Sequence, residues 1–129
     1  IAMCCLKGNT LKYAGANNPL WVIRDNEVIE IKATKQPIGK FQNPKPYLTS
    51  TIELLNNDVV YLFSDGYVDQ FGGEKGKKFK TSQLKKLLLS IQSESMQSQQ
   101  KIIEDTFNDW KGDSDQVDDV CVLGARISI

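Results

Sequence analysis

Apolar positions come in short extended runs over the first half of the chain and at helical spacing over much of the second. Residues 2–6 are apolar, Lys7-Gly8-Asn9 is a turn, and residues 10–14 resume an extended pattern, which predicts a hairpin. Residues 21–23 and 27–31 flank Arg24-Asp25-Asn26 and predict a second one. Residues 32–50 hold Pro37, Gly39, Pro44 and Pro46, so mostly loop is expected, with a short edge strand at 47–50 and another short strand at 52–55. After the turn Asn56-Asn57-Asp58, Val59-Val60-Tyr61-Leu62-Phe63 is apolar at every position, the mark of a strand buried on both faces.

Two helices follow. Ser82 is the expected cap of the first, with Leu84, Leu87, Leu88 and Ile91 on one face. The second is expected over 96–110, with Ile103, Phe107 and Trp110 as its stripe and Gly112-Asp113 as its end. The Ser- and Gln-rich stretch 92–100 predicts a soft join between them. A last strand is expected from Val120 to about Ile127. Antiparallel sheet with helices added on its faces is an α+β plan.

A length of 129 residues, 40% of them hydrophobic, suits one domain with a core and is too short for two. Sixteen basic and sixteen acidic residues cancel, which argues against a nucleic-acid or anionic-membrane binder. There is no histidine, which removes Ser-His-Asp and Cys-His catalysis and nearly every zinc site. Cys4, Cys5 and Cys121 are odd in number, form no Cys-x-x-Cys and lie in apolar runs, so they are expected to be small free hydrophobes in a reducing, cytoplasmic setting. No run approaches a membrane span. The opening Ile-Ala-Met-Cys-Cys-Leu reads as the middle of a strand, so the chain is expected to be part of a longer protein.

Charge is unevenly spread. Residues 70–86 carry six lysines against Glu74, and residues 104–119 carry seven acids against Lys111. Either run can be solvated surface; the lysines can also meet an acidic or phosphorylated partner. The acids at the end of the second run adjoin a strand. Asp65-Gly66 follows the strand 59–63 directly and Asp118-Asp119 precedes the last strand, so antiparallel neighbours would bring all three carboxylates to one rim. Mutually repelling carboxylates without thiolate or imidazole favour a hard cation, Mg²⁺ or Mn²⁺. Gly66 would permit the bend of a tight metal loop. The plain alternative is an Asp-Gly turn and a charged loop.

The motifs also carry a resemblance. Tyr13-Ala14-Gly15-Ala16-Asn17-Asn18-Pro19-Leu20 resembles the Ala-Gly-His-Asn-Pro-Pro segment of the bacterial SpoIIE-like branch of metal-dependent, type 2C protein phosphatases, and Gln36-Pro37-Ile38-Gly39 resembles its Pro-Leu-Gly. Residues 57–69, with Ser64-Asp65-Gly66, are similar to its Gly-Asp-strand-Ser/Thr-Asp-Gly-Val-x-Glu signature. Phe79 and Leu84 fall at its Phe-Gly and following Leu, and Asp118-Asp119-Val120 resembles its terminal Asp-Asp-x-Thr. The motifs keep the family's order over residues 10–127.

The resemblance implies an α-β-β-α four-layer fold, an antiparallel sandwich flanked by helices, with residues 1–129 its C-terminal portion. It implies two Mn²⁺ or Mg²⁺ ions, with Asp65 and Asp118 as ligands and Asp119 beside them as a further one. It implies hydrolysis of phosphoserine or phosphothreonine by a metal-activated water. Partners implied are a phosphorylated protein such as an anti-sigma-factor antagonist and an upstream sensor or receiver module. Three departures stand out: Ala16 replaces the His, Cys121 stands where Thr is common and is expected only to pack, and no Asp-x-x-Gly-His-Gly segment is present. That last ligand bridges the metals, so the chain alone is expected to be inactive, to bind metal weakly, and to form a homodimer through uncovered apolar surface. The rival expectations are a non-catalytic interaction module that keeps the fold and an unrelated α+β ligand-binding domain. Trp21 and Trp110 are expected in the core, Asn17-Asn18 in a polar turn, and Asp69 as a helix-entry or surface charge rather than a ligand.

Overall fold

In the computed structural model, which describes residues 1–129, both expected hairpins form around left-handed turn residues. Gly8 (φ +60°) joins β1 (Ala2–Lys7) to β2 (Thr10–Gly15). Asp25 (φ 47°) and Asn26 (φ 64°) join β3 (Leu20–Arg24) to β4 (Glu27–Ile31), two successive positive φ values being what a tight two-residue hairpin turn requires. The two short strands expected at 47–50 and 52–55 are a single one, β5 (Thr49–Glu53), because its ladder with β2 runs unbroken from Ala14↔Thr49 to Thr10↔Glu53. β6 (Val59–Phe63) is as expected, whereas β9 (Val122–Arg126) begins two residues late, leaving Val120 and Cys121 outside the strand.

Between β6 and β9 the chain makes α1 (Gly66–Asp69), a small hairpin of β7 (Phe71–Gly72) and β8 (Lys77–Lys78), α2 (Thr81–Ser90) and α3 (Met96–Lys111). Neither α1 nor the hairpin was expected. Ser82 is not the cap of α2. The capping position is Lys80, at φ 77° and ψ 151°, a region that is nearly glycine-only and costs on the order of 1–3 kcal/mol for a side-chain-bearing residue. Ser95 does cap α3, its Oγ accepting the Ser98 N–H at 3.1 Å, so much of the stretch read as a soft join is helix. Gln99, within it, is buried; its side-chain oxygen accepts the Tyr61 hydroxyl and its amide donates to the Gln92 and Glu94 carbonyls, which removes the penalty of burying it.

The strands form two antiparallel sheets in the orders β1-β2-β5 and β4-β3-β6-β9, with β7-β8 apart. The larger sheet lies between two cores, and its alternation shows it. Trp21, Ile23, Val59, Tyr61 and Phe63 face Leu84, Leu88, Ile103 and Phe107 of the helices. Leu20, Val22, Val60 and Leu62 face Leu11, Tyr13 and Leu54 toward the smaller sheet. Full burial of each such large apolar side chain is worth about 1.5–3 kcal/mol, which is why β3 and β6 are apolar at consecutive positions. Trp21 packs edge-on to Phe63 in the first core, and Trp110, half-buried, packs against Phe79 at its border.

The layers are therefore helices, larger sheet, smaller sheet. The outer face of the smaller sheet, with Met3, Cys5, Lys12 and Thr51, carries no helix, so this chain holds three of the four layers. All three cysteines are free, but Cys5 and Cys121 are exposed rather than packed as small hydrophobes, since Cys5 is on that outer face and Cys121 precedes the edge strand. No helix is long and apolar enough to cross a membrane.

Candidate functional site

Register decides which residues share a rim. β6 and β9 pair antiparallel with Phe63 opposite Val122, so Asp65, two residues past Phe63, and Asp118-Asp119, shortly before Val122, leave the sheet at the same end. β3 pairs with β6 with Leu20 opposite Leu62, which brings the turn 16–19 to that end too. Ala16 bridges Thr34, and with it the start of the 34–48 loop, where buried Gln36 exchanges two hydrogen bonds with the Lys45 backbone (2.7 and 3.0 Å). Asn17 takes φ 65° in a polar turn as expected, its N–H on the Thr34 carbonyl. Ile1 lies at this rim as well: Ala16 N–H donates to the Ile1 carbonyl at 2.8 Å.

Ser64 ties the two carboxylate segments together. Its backbone N–H donates to the Cys121 carbonyl (2.9 Å), its hydroxyl donates to the Asp119 carbonyl (2.8 Å), and the same hydroxyl accepts the Cys121 N–H (3.0 Å). Sequence reading passed over Ser64 as a site residue, although its place in the Ser-Asp-Gly run was the available signal. Gly66 acts differently from expectation. It needs no left-handed bend; a Cβ there would stand 2.3 Å from the Asp119 carbonyl oxygen and 2.9 Å from its carbon. Glycine is required because the Asp119 backbone passes against it.

Behind the rim, Tyr67 is buried against Phe79 and Phe107, and its hydroxyl donates to the Ile103 carbonyl at 2.8 Å, fastening α1 to α3. Burial pushes the Tyr67 hydroxyl well above the usual tyrosine range, so it stays a neutral donor. Gln70 is fully buried, and its side-chain amide donates to the Phe71 and Asp115 carbonyls (2.9 and 2.8 Å), while its backbone carbonyl accepts Trp110 Nε1–H at 3.0 Å. It thus links α1, the small hairpin, the end of α3 and the acidic loop 113–119. Sequence reading missed it, because a glutamine among turn residues gives no pattern.

Asp65, Asp118 and Asp119 are exposed, and none forms an ion pair with a lysine or arginine. Asp65 occupies the capping position of α1 without using its carboxylate as a cap, and Asp118 Oδ1 accepts the Asp119 N–H at 2.8 Å. Asp69 ends α1 and pairs with Lys78 at 3.1 Å, a surface role as expected. As donors the three carboxylates suit a hard divalent cation in kind. They are not gathered into a site: no group of three or more His, Cys, Asp or Glu is arranged to hold a metal.

The sequence matches the family described as Stage II sporulation protein E (SpoIIE) over residues 1–128. Among solved structures, the SiaA PP2C domain of Pseudomonas aeruginosa is 28% identical with a TM-score of 0.85, covering 93% of this chain and 47% of that one. The phosphatase domain of the cell-fate determinant SpoIIE from Bacillus subtilis is 13% identical at TM-score 0.73, covering 100% of this chain and 58% of that one. The Mycobacterium tuberculosis serine/threonine phosphatase PstP is 15% identical at 0.62, over 98% and 58%. Among curated protein sequences none matches. The chain spans about half the length of the phosphatase domains it matches, and its fold is theirs. From residues 1 to 128, this chain belongs to the SpoIIE family.

Proposed function

We propose that the chain is the C-terminal part of a metal-dependent phosphatase domain that hydrolyses phosphoserine or phosphothreonine on a signalling protein. The observation that carries this reading is the delivery of the Asp65 and Asp118-Asp119 segments to one sheet rim by the β6–β9 register, with no cationic side chain paired to them. Asp65 and Asp118 would hold Mn²⁺ or Mg²⁺, with Asp119 beside them as a further ligand. Ile1 stands at the same rim as these carboxylates. The ions, when bound, supply an activated water and charge stabilisation for the phosphoryl oxygens. The chain's own residues hold the geometry: Ser64 fixes the spacing of the two acidic segments, Gly66 lets them touch, and Gln70 anchors the acidic loop. A water nucleophile needs no protein one, which accords with a chain that has no histidine.

In this reading the substrate is a phosphorylated protein of the anti-sigma-factor-antagonist kind, a sensor or receiver module lies upstream, and the domain works in the cytoplasm. The test is Mn²⁺-dependent hydrolysis of a phosphoserine peptide by the full-length protein and by Asp65→Asn and Asp118→Asn. Each substitution is expected to remove at least roughly 100-fold of the rate while the thermal melt stays near wild type, given the size of metal-supplied stabilisation. Full activity in either would refute the assignment. An inactive wild-type protein would favour the second reading, an interaction module that keeps the fold.

A further inference from the structure

We propose that the lysines of the β7–β8 hairpin and the entry to α2, Lys75, Lys77 and Lys80, form a docking ledge for acidic residues flanking the phosphorylated residue of a protein substrate. The inference rests on the phosphatase reading above and adds a specificity determinant to it. Three observations carry it.

The ledge is placed beside the site and held there. Lys80 N–H donates to the Val68 carbonyl (2.8 Å) and Phe79 N–H to the Gln70 carbonyl (3.0 Å), so the lysine strand is bonded to α1, the helix that Asp65 begins. On its other side Gly73 N–H donates to the Trp110 carbonyl at 2.8 Å, and Gly72 and Gly73 lie so close to Trp110 that no Cβ would fit. A surface tied at both ends presents its charges in one arrangement, which lowers the entropy lost on binding.

Its charges are free. Lys78 is taken by Asp69 and sits 5.8 Å from the Phe71 ring centroid, but Lys75, Lys77 and Lys80 are exposed and enter no ion pair, with Glu74 the only acid in the hairpin.

Lys80 is kept against its own backbone. At φ 77° and ψ 151° glycine is the unstrained choice, and the lysine side chain gains nothing inside the fold to offset this: it makes no cap bond and no ion pair. Strain of this kind at a residue bonded to the helix that Asp65 begins marks a side chain retained for something outside the molecule. A locally acidic peptide fits better than a nucleic acid, because Asp115, bonded through its carbonyl to Gln70, and Asp118-Asp119 border this end of the sheet and would repel a continuous polyanion.

The experiment uses the full-length protein. Fluorescence anisotropy measures binding of two phosphoserine peptides, one with acidic and one with neutral flanks; p-nitrophenyl phosphate with Mn²⁺ reports turnover, and a thermal melt reports stability. Wild type is expected to prefer the acidic peptide roughly tenfold at low salt and only about twofold at 0.5 M NaCl, as exposed charge pairs are screened. Lys75→Glu/Lys77→Glu/Lys80→Glu should reverse the preference. Lys80→Gly alone should cut it about threefold while raising Tm by roughly 2–5 °C, because strain is released as the charge is lost; a structural role for Lys80 would lower Tm instead. Equal binding of the two peptides by wild type, or an undiminished preference in Lys80→Gly, overturns the ledge. So does tighter binding to an oligothymidine or to phosphatidylserine vesicles than to the acidic peptide. If wild type binds the acidic peptide selectively but does not turn over p-nitrophenyl phosphate, the ledge stands and the phosphatase reading falls.

Discussion

Asp58 shows how one residue can look like its neighbours in sequence and do the opposite in structure. It is an acid beside a strand end, as Asp65 is, yet its side chain is 2% exposed and gripped by Arg24, with Nε–Oδ1 at 2.8 Å and a second bond from the guanidinium to Oδ2; Leu55 N–H adds a third at 2.8 Å. Burial by itself would raise the Asp58 carboxyl, but these donors outweigh it and hold it below its ordinary 3.8. A depressed folded-state value means the unfolded chain binds the proton more readily. The pair's contribution is therefore present above about pH 3.8 and is lost as the pH falls through the lower folded-state value. Asp58→Asn leaves Arg24 unpaired, and since Arg24 is a quarter exposed we expect a loss of about 2–3 kcal/mol, a Tm drop on the order of 10 °C. A melt series from pH 7 to pH 2.5 should show wild type converging on the variant at the acid end; parallel curves would contradict the assignment. What separates Asp58 from Asp65 is an arginine 34 residues away, contributed by a different strand.

Elements meet through backbone contacts that no periodicity announces. The approach of α1 to the segment before β9 depends on Gly66, where an added methyl would face a main-chain carbonyl that cannot rotate away. Gly66→Ala is expected to cost about 1–3 kcal/mol by overpacking, and to lower Mn²⁺-dependent turnover by more than the lost folded fraction because the Asp119 segment must shift. Melting and assay of the same sample check this, and unchanged stability would show that the contact yields freely. The elements that were legible are those with long, regular signals: the continuous run of β6, the Leu84–Leu88 stripe of α2, the Ile103–Phe107 stripe of α3. Those that were not are short. A one-turn helix and a hairpin of two-residue strands bury too little to leave a pattern, and they are held by bonds that Tyr67, Gln70 and Trp110 make to distant segments. The N-terminus of α2 was misplaced for a related reason: a serine near a helix start is a strong local signal, but the Lys80 N–H is already bonded to Val68, which sets where the helix begins.

At the scale of the molecule, three layers leave surface open. Leu123 of edge strand β9 stands opposite Leu62 in register but is 60% exposed, and Met3 on the outer face of the smaller sheet is 70% exposed. Open edges and uncovered apolar side chains favour association, so light scattering of the 129-residue chain is expected to give a mass above its 14.5 kDa, reduced toward it by Leu123→Glu. A monomeric wild-type chain would defeat this expectation. The sequence by itself determined the α+β class, most of the major strands and the two long helices, because alternation and helical spacing are local records of which side of each element is buried. It also determined what chemistry was possible, carboxylates without histidine. Only the tertiary structure decided which carboxylates share a rim, which one is neutralised by an arginine, and which glycine, serine and glutamine hold the acidic segments in place. Those are properties of register and of contact between residues tens of positions apart, and the chain encodes them in the packing of whole strands rather than in any one stretch of residues.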